Sequence, residues 1–226
     1  DAISDLLFTP SSDGDENLIH DGVPEHKIHR VGNIMIDSLI RILDRIDPEH
    51  QDRIIQQFGI DRGRYVLVTL HRPSNVDERS GLEQILKYLS RLSEHVAVIF
   101  PMHPRTRKNI ETLGIDASRA DNLRIIEPVR YREFITLQKN ARFVLTDSGG
   151  IQEETTYLGL PCLTLRPNTE RPITIMEGTN ELVSMTNIEE RTASILSGRW
   201  KQGRIPSLWD GRTAERITKV IADLSF

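Results

Sequence analysis

Residues 142–154 read RFVLTDSGGIQEE. An apolar run closes on Thr146 and Asp147, a Ser-Gly-Gly follows, and a helical pattern runs over about 150–158. This is a strand, a turn and a helix, and the same unit recurs along the chain. YVLVTL (65–70) precedes a helical pattern over about 78–95, and VAVIFP (96–101) precedes one near 105–113. LRIIEP (123–128) precedes one near 131–140, while PCLTLR (161–166) leads into a long polar loop. These runs do not alternate apolar with polar residues. Continuous apolar strands belong to a parallel sheet covered on both faces. The spacing therefore predicts an α/β fold, a doubly wound parallel sheet with right-handed crossovers.

Composition excludes several classes of function. A formal net charge of −4 over 226 residues gives no electrostatic reason to expect nucleic acid or an anionic membrane. No apolar run approaches the roughly 20 residues that a membrane-spanning helix needs. The single cysteine, Cys162, rules out an internal disulfide and fits a reducing, cytoplasmic setting. Within PCLTL it reads as a small buried hydrophobe rather than a nucleophile or ligand. The chain opens at Asp1 inside the apolar stretch AISDLLF, the pattern expected of part of a longer protein.

The informative residues stand just past the strands: HRPSN (71–75), HPRTR (103–107), EPVRY (127–131), DSGG (147–150) and RPNTERP (166–172). In an open parallel sheet all these loops emerge at the carboxyl edge, where ligands bind. Ser148 offers a hydroxyl, and Gly149 and Gly150 allow close backbone approach and conformations closed to other residues. The free N–H groups of the next helix suit a phosphate, although Ser-Gly-Gly also serves as an ordinary helix cap. Glu153 and Glu154 complement a helix dipole in the plain reading. A carboxylate one turn beyond a phosphate can also accept bonds from both hydroxyls of a ribose, the role expected of Glu154. The ligand would then be a nucleotide. His71 and His103 are candidates for catalysis or simply strand-end histidines, and no third ligand at useful spacing supports a metal.

These residues also carry a family resemblance. DSGGIQEE (147–154) and LGLPCLTLRPNTERPITIMEGTNELV (158–183) closely resemble a block of the non-hydrolysing UDP-N-acetylglucosamine 2-epimerases. VTLHRPSN (68–75), FPMHP (100–104) and VGNIMIDSL (31–39) resemble further motifs of that family, in its order. ISDLLFTPSS (3–12) with ENLIHDGVPEHKI (16–28) resembles the segment ending its N-terminal domain.

The resemblance implies the C-terminal half of a GT-B-type fold of two Rossmann-like domains. Residues 1–32 would end the first domain, 33–205 would bind UDP, and the closing helix over about 211–224, within 206–226, would return toward the first domain. The implied reaction removes the C2 proton, eliminates UDP and re-adds it with C2 inverted, without nicotinamide or metal. Ser148, Gly149 and Gly150 would hold the diphosphate, Glu154 the ribose, and the backbone at Phe134 the uracil. His71 would be catalytic, with Arg72, His103 and Arg171 lining the sugar-phosphate side. A homodimer is usual for the family. Pro73 and Ser74 replace the family's Arg-Glu, so activation by a second substrate molecule is expected to be weak. The family's acid/base carboxylates lie in EAGLR and PEExNR motifs that have no counterpart in these residues. An epimerase of a modified UDP sugar such as a diacetamido-uronate, a GT-B glycosyltransferase, and a nucleotide-sugar-binding module remain alternatives.

Overall fold

The computed structural model describes residues 3–115 and 122–223. Two short parallel strands, β1 (Leu7–Thr9) and β2 (Ile28–Arg30), flank helix α1 (Ser12–His20). Helices α2 (Ile34–Leu43) and α3 (Pro48–Gln57) follow. The main sheet contains β3 (Tyr65–Thr69), β4 (Ala97–Pro101), β5 (Leu123–Ile126), β6 (Phe143–Thr146), β7 (Cys162–Leu165) and β8 (Asn180–Val183). Between them lie α4 (Pro73–Val76), α5 (Arg79–Ser93), α6 (Pro104–Leu113), α7 (Tyr131–Lys139), α8 (Gly149–Leu158) and α9 (Pro172–Met176). Helices α10 (Ile188–Leu196) and α11 (Thr213–Ala222) close the described chain.

All described pairings in the sheet are parallel, in the order β5-β4-β3-β6-β7-β8. The chain starts in the middle at β3, builds outward to β5, then returns to place β6 beside β3. The direction of winding therefore reverses between β3 and β6. This is the doubly wound fold the sequence predicts, with one strand more. Asn180–Val183 adds an edge strand that its polar Asn180 and Glu181 disguised.

The central strands bury both faces. Val66 and Val68 of β3 pack with Phe143 and Leu145 of β6 against Leu82, Ile85, Leu86 and Leu89 of α5. The intervening Tyr65 and Leu67 pack with Val144 against Ile54 and Ile55 of α3 and Leu137 of α7. Successive side chains point to opposite faces, so one apolar run supplies two cores. Among the described residues no helix is long and apolar enough to cross a membrane.

The last elements fold back on the first. Asp37 in α2 accepts hydrogen bonds from the amides of Thr213 (3.2 Å) and Ala214 (3.0 Å), capping α11 with a buried carboxylate. Trp209, also buried, donates its indole N–H to the Pro10 carbonyl at 2.9 Å. Gly32 stands beneath this closure with φ of +95°, and a Cβ there would lie 2.2 Å from the Leu208 carbonyl oxygen. Both the backbone conformation and the contact exclude a side chain. Gly32→Ala is expected to cost about 2 kcal/mol or more in urea unfolding. A loss below about 0.5 kcal/mol would show that the closure does not depend on this close approach.

Candidate active site

The reversal between β3 and β6 leaves a crevice at the carboxyl edge of the sheet, the place where such folds bind ligands. Asp147, the residue after β6, is 0 % exposed and organises it. Its carboxylate accepts from the amide of His71 (3.0 Å), the amide of Arg72 (2.9 Å) and Nδ2 of Asn75 (3.0 Å). Nδ1 of His71 lies 3.1 Å from its Oδ1. Burial pushes this carboxyl up, but the bonds from His71, Arg72 and Asn75 outweigh it and hold it below the usual carboxylate value. Asn75 also donates to the Leu165 carbonyl at 3.1 Å, so the loop after β3 is tied to the ends of both β6 and β7.

The loop after β4 is drawn to the same rim. Thr106, buried in α6, donates to the Leu70 carbonyl at 2.9 Å. Arg105 pairs with Asp77 at 2.6 Å. His103 caps α6, its Nδ1 accepting from the Arg105 amide at 3.1 Å. The rings of His71 and His103 consequently face each other with centroids 5.6 Å apart. Arg72 stands beside them, with Nε on the Asp147 carbonyl at 3.0 Å and Nη1 3.9 Å from Glu170.

Across the crevice, α8 presents its N-terminus. Ser148 takes the N-cap position, but its side chain makes no cap hydrogen bond. The expectation that Gly149 and Gly150 adopt conformations closed to other residues is corrected here. Neither has positive φ, and a Cβ on either would meet nothing within 4 Å. Backbone geometry does not require glycine at these positions. What the missing side chains preserve is open space in front of the free amides of the first turn.

The two glutamates turn inward and part company. Glu153, buried, lies with Oε1 2.8 Å from Nε of Arg171, so Arg171 is held against α8 by an ion pair. Glu154 accepts from the Tyr131 hydroxyl at 2.8 Å, while its buried Oε2 makes no hydrogen bond among the described residues. Phe134 packs its ring between two core clusters, and its own amide donates to the Arg130 carbonyl at 2.9 Å. The amides open to a ligand at this rim are those of the first residues of α7.

The structure thus gathers His71, Arg72, His103, Ser148, Gly149, Gly150 and Glu154 around one crevice, with Arg171 and Phe134 anchored at its margins. Sequence reading gave no role to Asp147, Gln152, Thr169 or Tyr131. Gln152, fully buried, accepts from Thr169 (2.7 Å) and Asn180 (3.0 Å) and donates to the Ser148 carbonyl (3.3 Å). Thr169 in turn accepts from the Arg171 amide at 3.0 Å. The turn before α8 and the loop carrying Arg171 are therefore one hydrogen-bonded unit. Nothing in a one-dimensional pattern marks these partners, because they meet only in the folded chain.

The family model described as UDP-N-acetylglucosamine 2-epimerase matches residues 1–222. The chain belongs to the UDP-N-acetylglucosamine 2-epimerase family. It is 37% identical to a UDP-N-acetylglucosamine 2-epimerase of Methanocaldococcus jannaschii over 227 residues, covering 98% of this chain and 62% of that protein. A crystal structure of M. jannaschii UDP-GlcNAc 2-epimerase in complex with UDP-GlcNAc and UDP superposes with a TM-score of 0.82 at 35% identity, covering 98% of this chain and 62% of that one. A UDP-2,3-diacetamido-2,3-dideoxy-D-glucuronate 2-epimerase of Pseudomonas aeruginosa is 34% identical, covering 99% of this chain and 61% of that protein. The chain spans about three fifths of the length of these relatives. Its fold is the Rossmann-like C-terminal part of the epimerases' GT-B-like architecture.

In this epimerase-family chain Glu154 sits where it costs stability. Burial pushes its carboxyl up to about 7, the Tyr131 hydroxyl and the Gln138 amide offset part of that, and Glu153 adds to it. A folded-state value above the unfolded one means that the folded protein retains the proton as pH rises from about 4.5 to 7. Stability falls across that window, and above it the charged, dry carboxylate opposes folding by at most about 3 kcal/mol. Glu154→Gln keeps an acceptor for Tyr131 and removes the charge. It is expected to unfold at higher denaturant than the parent near pH 8, and at the same denaturant near pH 4.5. A parent and variant that differ equally at both pH values would show that the charge carries no such cost.

Proposed function

We propose that this chain forms the UDP-binding part of an epimerase acting on a UDP-2-acetamido sugar, the UDP-N-acetylglucosamine 2-epimerase reaction being the first reading. One observation carries it. An open helix N-terminus with a free Ser148 hydroxyl is followed one turn later by a buried glutamate whose Oε2 makes no hydrogen bond among the described residues. Donors for an anion and an acceptor for sugar hydroxyls thereby stand one helical turn apart, as a nucleoside diphosphate requires. The diphosphate sits on Ser148 and the amides of Gly149 and Gly150, the ribose on Glu154, and the uracil toward the start of α7 near Phe134.

His71, Arg72 and His103 face the diphosphate from the other side, with Arg171 at the edge. A departing UDP gains negative charge, so cations and fixed donors aimed at it stabilise the transition state more than the ground state. The reaction removes the C2 proton, expels UDP, and returns it with C2 inverted. No residue of this chain is assigned to the C2 proton, and the chain by itself is expected to bind UDP without epimerising. The 34% identical relative from P. aeruginosa, together with Pro73 and Ser74 at the start of α4, makes a modified UDP sugar the second reading.

Calorimetric titration tests the ribose assignment. The chain is expected to bind UDP, and Glu154→Gln to weaken it by about 10- to 100-fold, the range for hydrogen bonds to a charged group. The same substitution should weaken 2′,3′-dideoxy-UDP far less. Equal affinity of parent and variant for UDP would remove Glu154 from the site. Incubation of the chain with UDP-N-acetylglucosamine in deuterated water should leave C2 unlabelled, and label at C2 would place the acid/base groups within these residues.

A further inference from the structure

Asp147 does more at the crevice than fasten two loops. Its carboxylate is fully buried and fixed from several directions, by the amides of His71 and Arg72 and by Asn75, so it cannot swing to follow another partner. One of its oxygens also lies 3.1 Å from Nδ1 of His71. The opposite edge of that ring is open: the side chain is 40 % exposed, and Nε2 makes no hydrogen bond among the described residues.

We propose that Asp147 is a positioning residue that grips the Nδ1 edge of His71 and thereby aims Nε2 at the diphosphate as a charged donor. The inference rests on the reading of this crevice as a UDP site. A carboxylate acceptor at Nδ1 fixes which nitrogen is presented to the ligand and favours the imidazolium. Charge-assisted donation to a phosphate oxygen is stronger than a neutral bond, and it strengthens as UDP gathers charge.

The charged groups around His71 pull in both directions. Asp147 favours the cation, while Arg72 from the same loop and Arg105 from α6 disfavour it. Both arginines have carboxylates of their own, Glu170 and Asp77, which soften that repulsion. Arg166, beyond Asp147, is likewise paired with Glu170. The Nδ1 atom of His103 is occupied by the Arg105 amide, so at this face the second histidine presents a ring and not a competing acceptor. The hydrogen bond to Asp147 prevails, and His71 keeps its proton to higher pH than an ordinary histidine, although partial burial opposes it.

Histidine side-chain NMR of the chain, free and with UDP, tests the inference directly. His71 should titrate above the ordinary histidine value, with its Nδ1 proton bonded to a carboxylate and its Nε2 signal moving when UDP binds. Asp147→Asn should bring the titration down and cost about tenfold in UDP affinity near neutral pH, while uridine, which lacks the diphosphate, is affected much less. Asp147→Glu should restore part of both. A merely structural Asp147 would weaken UDP and uridine alike and leave the His71 titration in place, which would overturn the proposal. Should Asp147→Asn not fold, the parent spectra still decide. A His71 that titrates at or below the ordinary value, or carries no bonded Nδ1 proton, overturns it. Normal His71 spectra in a chain that binds no UDP would instead overturn the reading of the crevice.

Discussion

A single buried carboxylate holds the crevice together. Asp147 stands at the end of β6, beside β3, where the winding of the sheet reverses. Charge taken from water is tolerated only when its lone pairs are filled, and here backbone amides, an asparagine and a histidine fill them. Because two of those donors are consecutive amides of the loop after β3, the bond fixes the path of that loop. The placement of His71 and Arg72, the start of α4, and through Asn75 the end of β7 all follow from it. The ring of His103 completes the arrangement only because Thr106 ties α6 to the end of β3.

The facing wall depends on a second kind of economy. Three consecutive polar residues in the first turns of α8 all point inward, and each serves a different neighbour. Gln152 locks the turn before the helix to Thr169, Glu153 holds Arg171, and Glu154 waits with one oxygen unoccupied. The first two are settled within the protein. The third is a buried carboxylate whose second oxygen makes no hydrogen bond among the described residues, which is why Glu154 weighs more than its neighbours in the functional reading. The two glycines before it argue the same way. Ordinary backbone angles and empty space ahead of them leave ligand access as the reason for having no side chain there.

The sheet was legible because its strands are continuous apolar runs, which only a doubly covered parallel sheet buries. The edge strand β8 was not, since Asn180 opens it. In the structure that asparagine is satisfied by Thr164, Thr174 and Gln152, a polar network that no periodicity reveals. The rim residues His71, His103 and Ser148 were visible because each stands two residues past a strand, and that position alone puts them at the carboxyl edge. Asp147 was just as visible as a letter but had no reading. An aspartate before Ser-Gly-Gly looks like turn chemistry, and its partners lie more than 70 residues away. Phe134 was legible only through the motif match, and in the structure its amide is engaged within the first turn of α7.

The central claim is that the crevice between β3 and β6 holds a nucleoside diphosphate, with phosphate on the start of α8 and ribose on Glu154. A crystal structure of the chain grown with UDP tests it most directly. The account predicts diphosphate oxygens within hydrogen-bond distance of Ser148 and the Gly149 and Gly150 amides, ribose hydroxyls on the Glu154 carboxylate, and Nε2 of His71 toward the diphosphate. UDP seated elsewhere on the molecule, or in this crevice with its ribose turned away from Glu154, would contradict it.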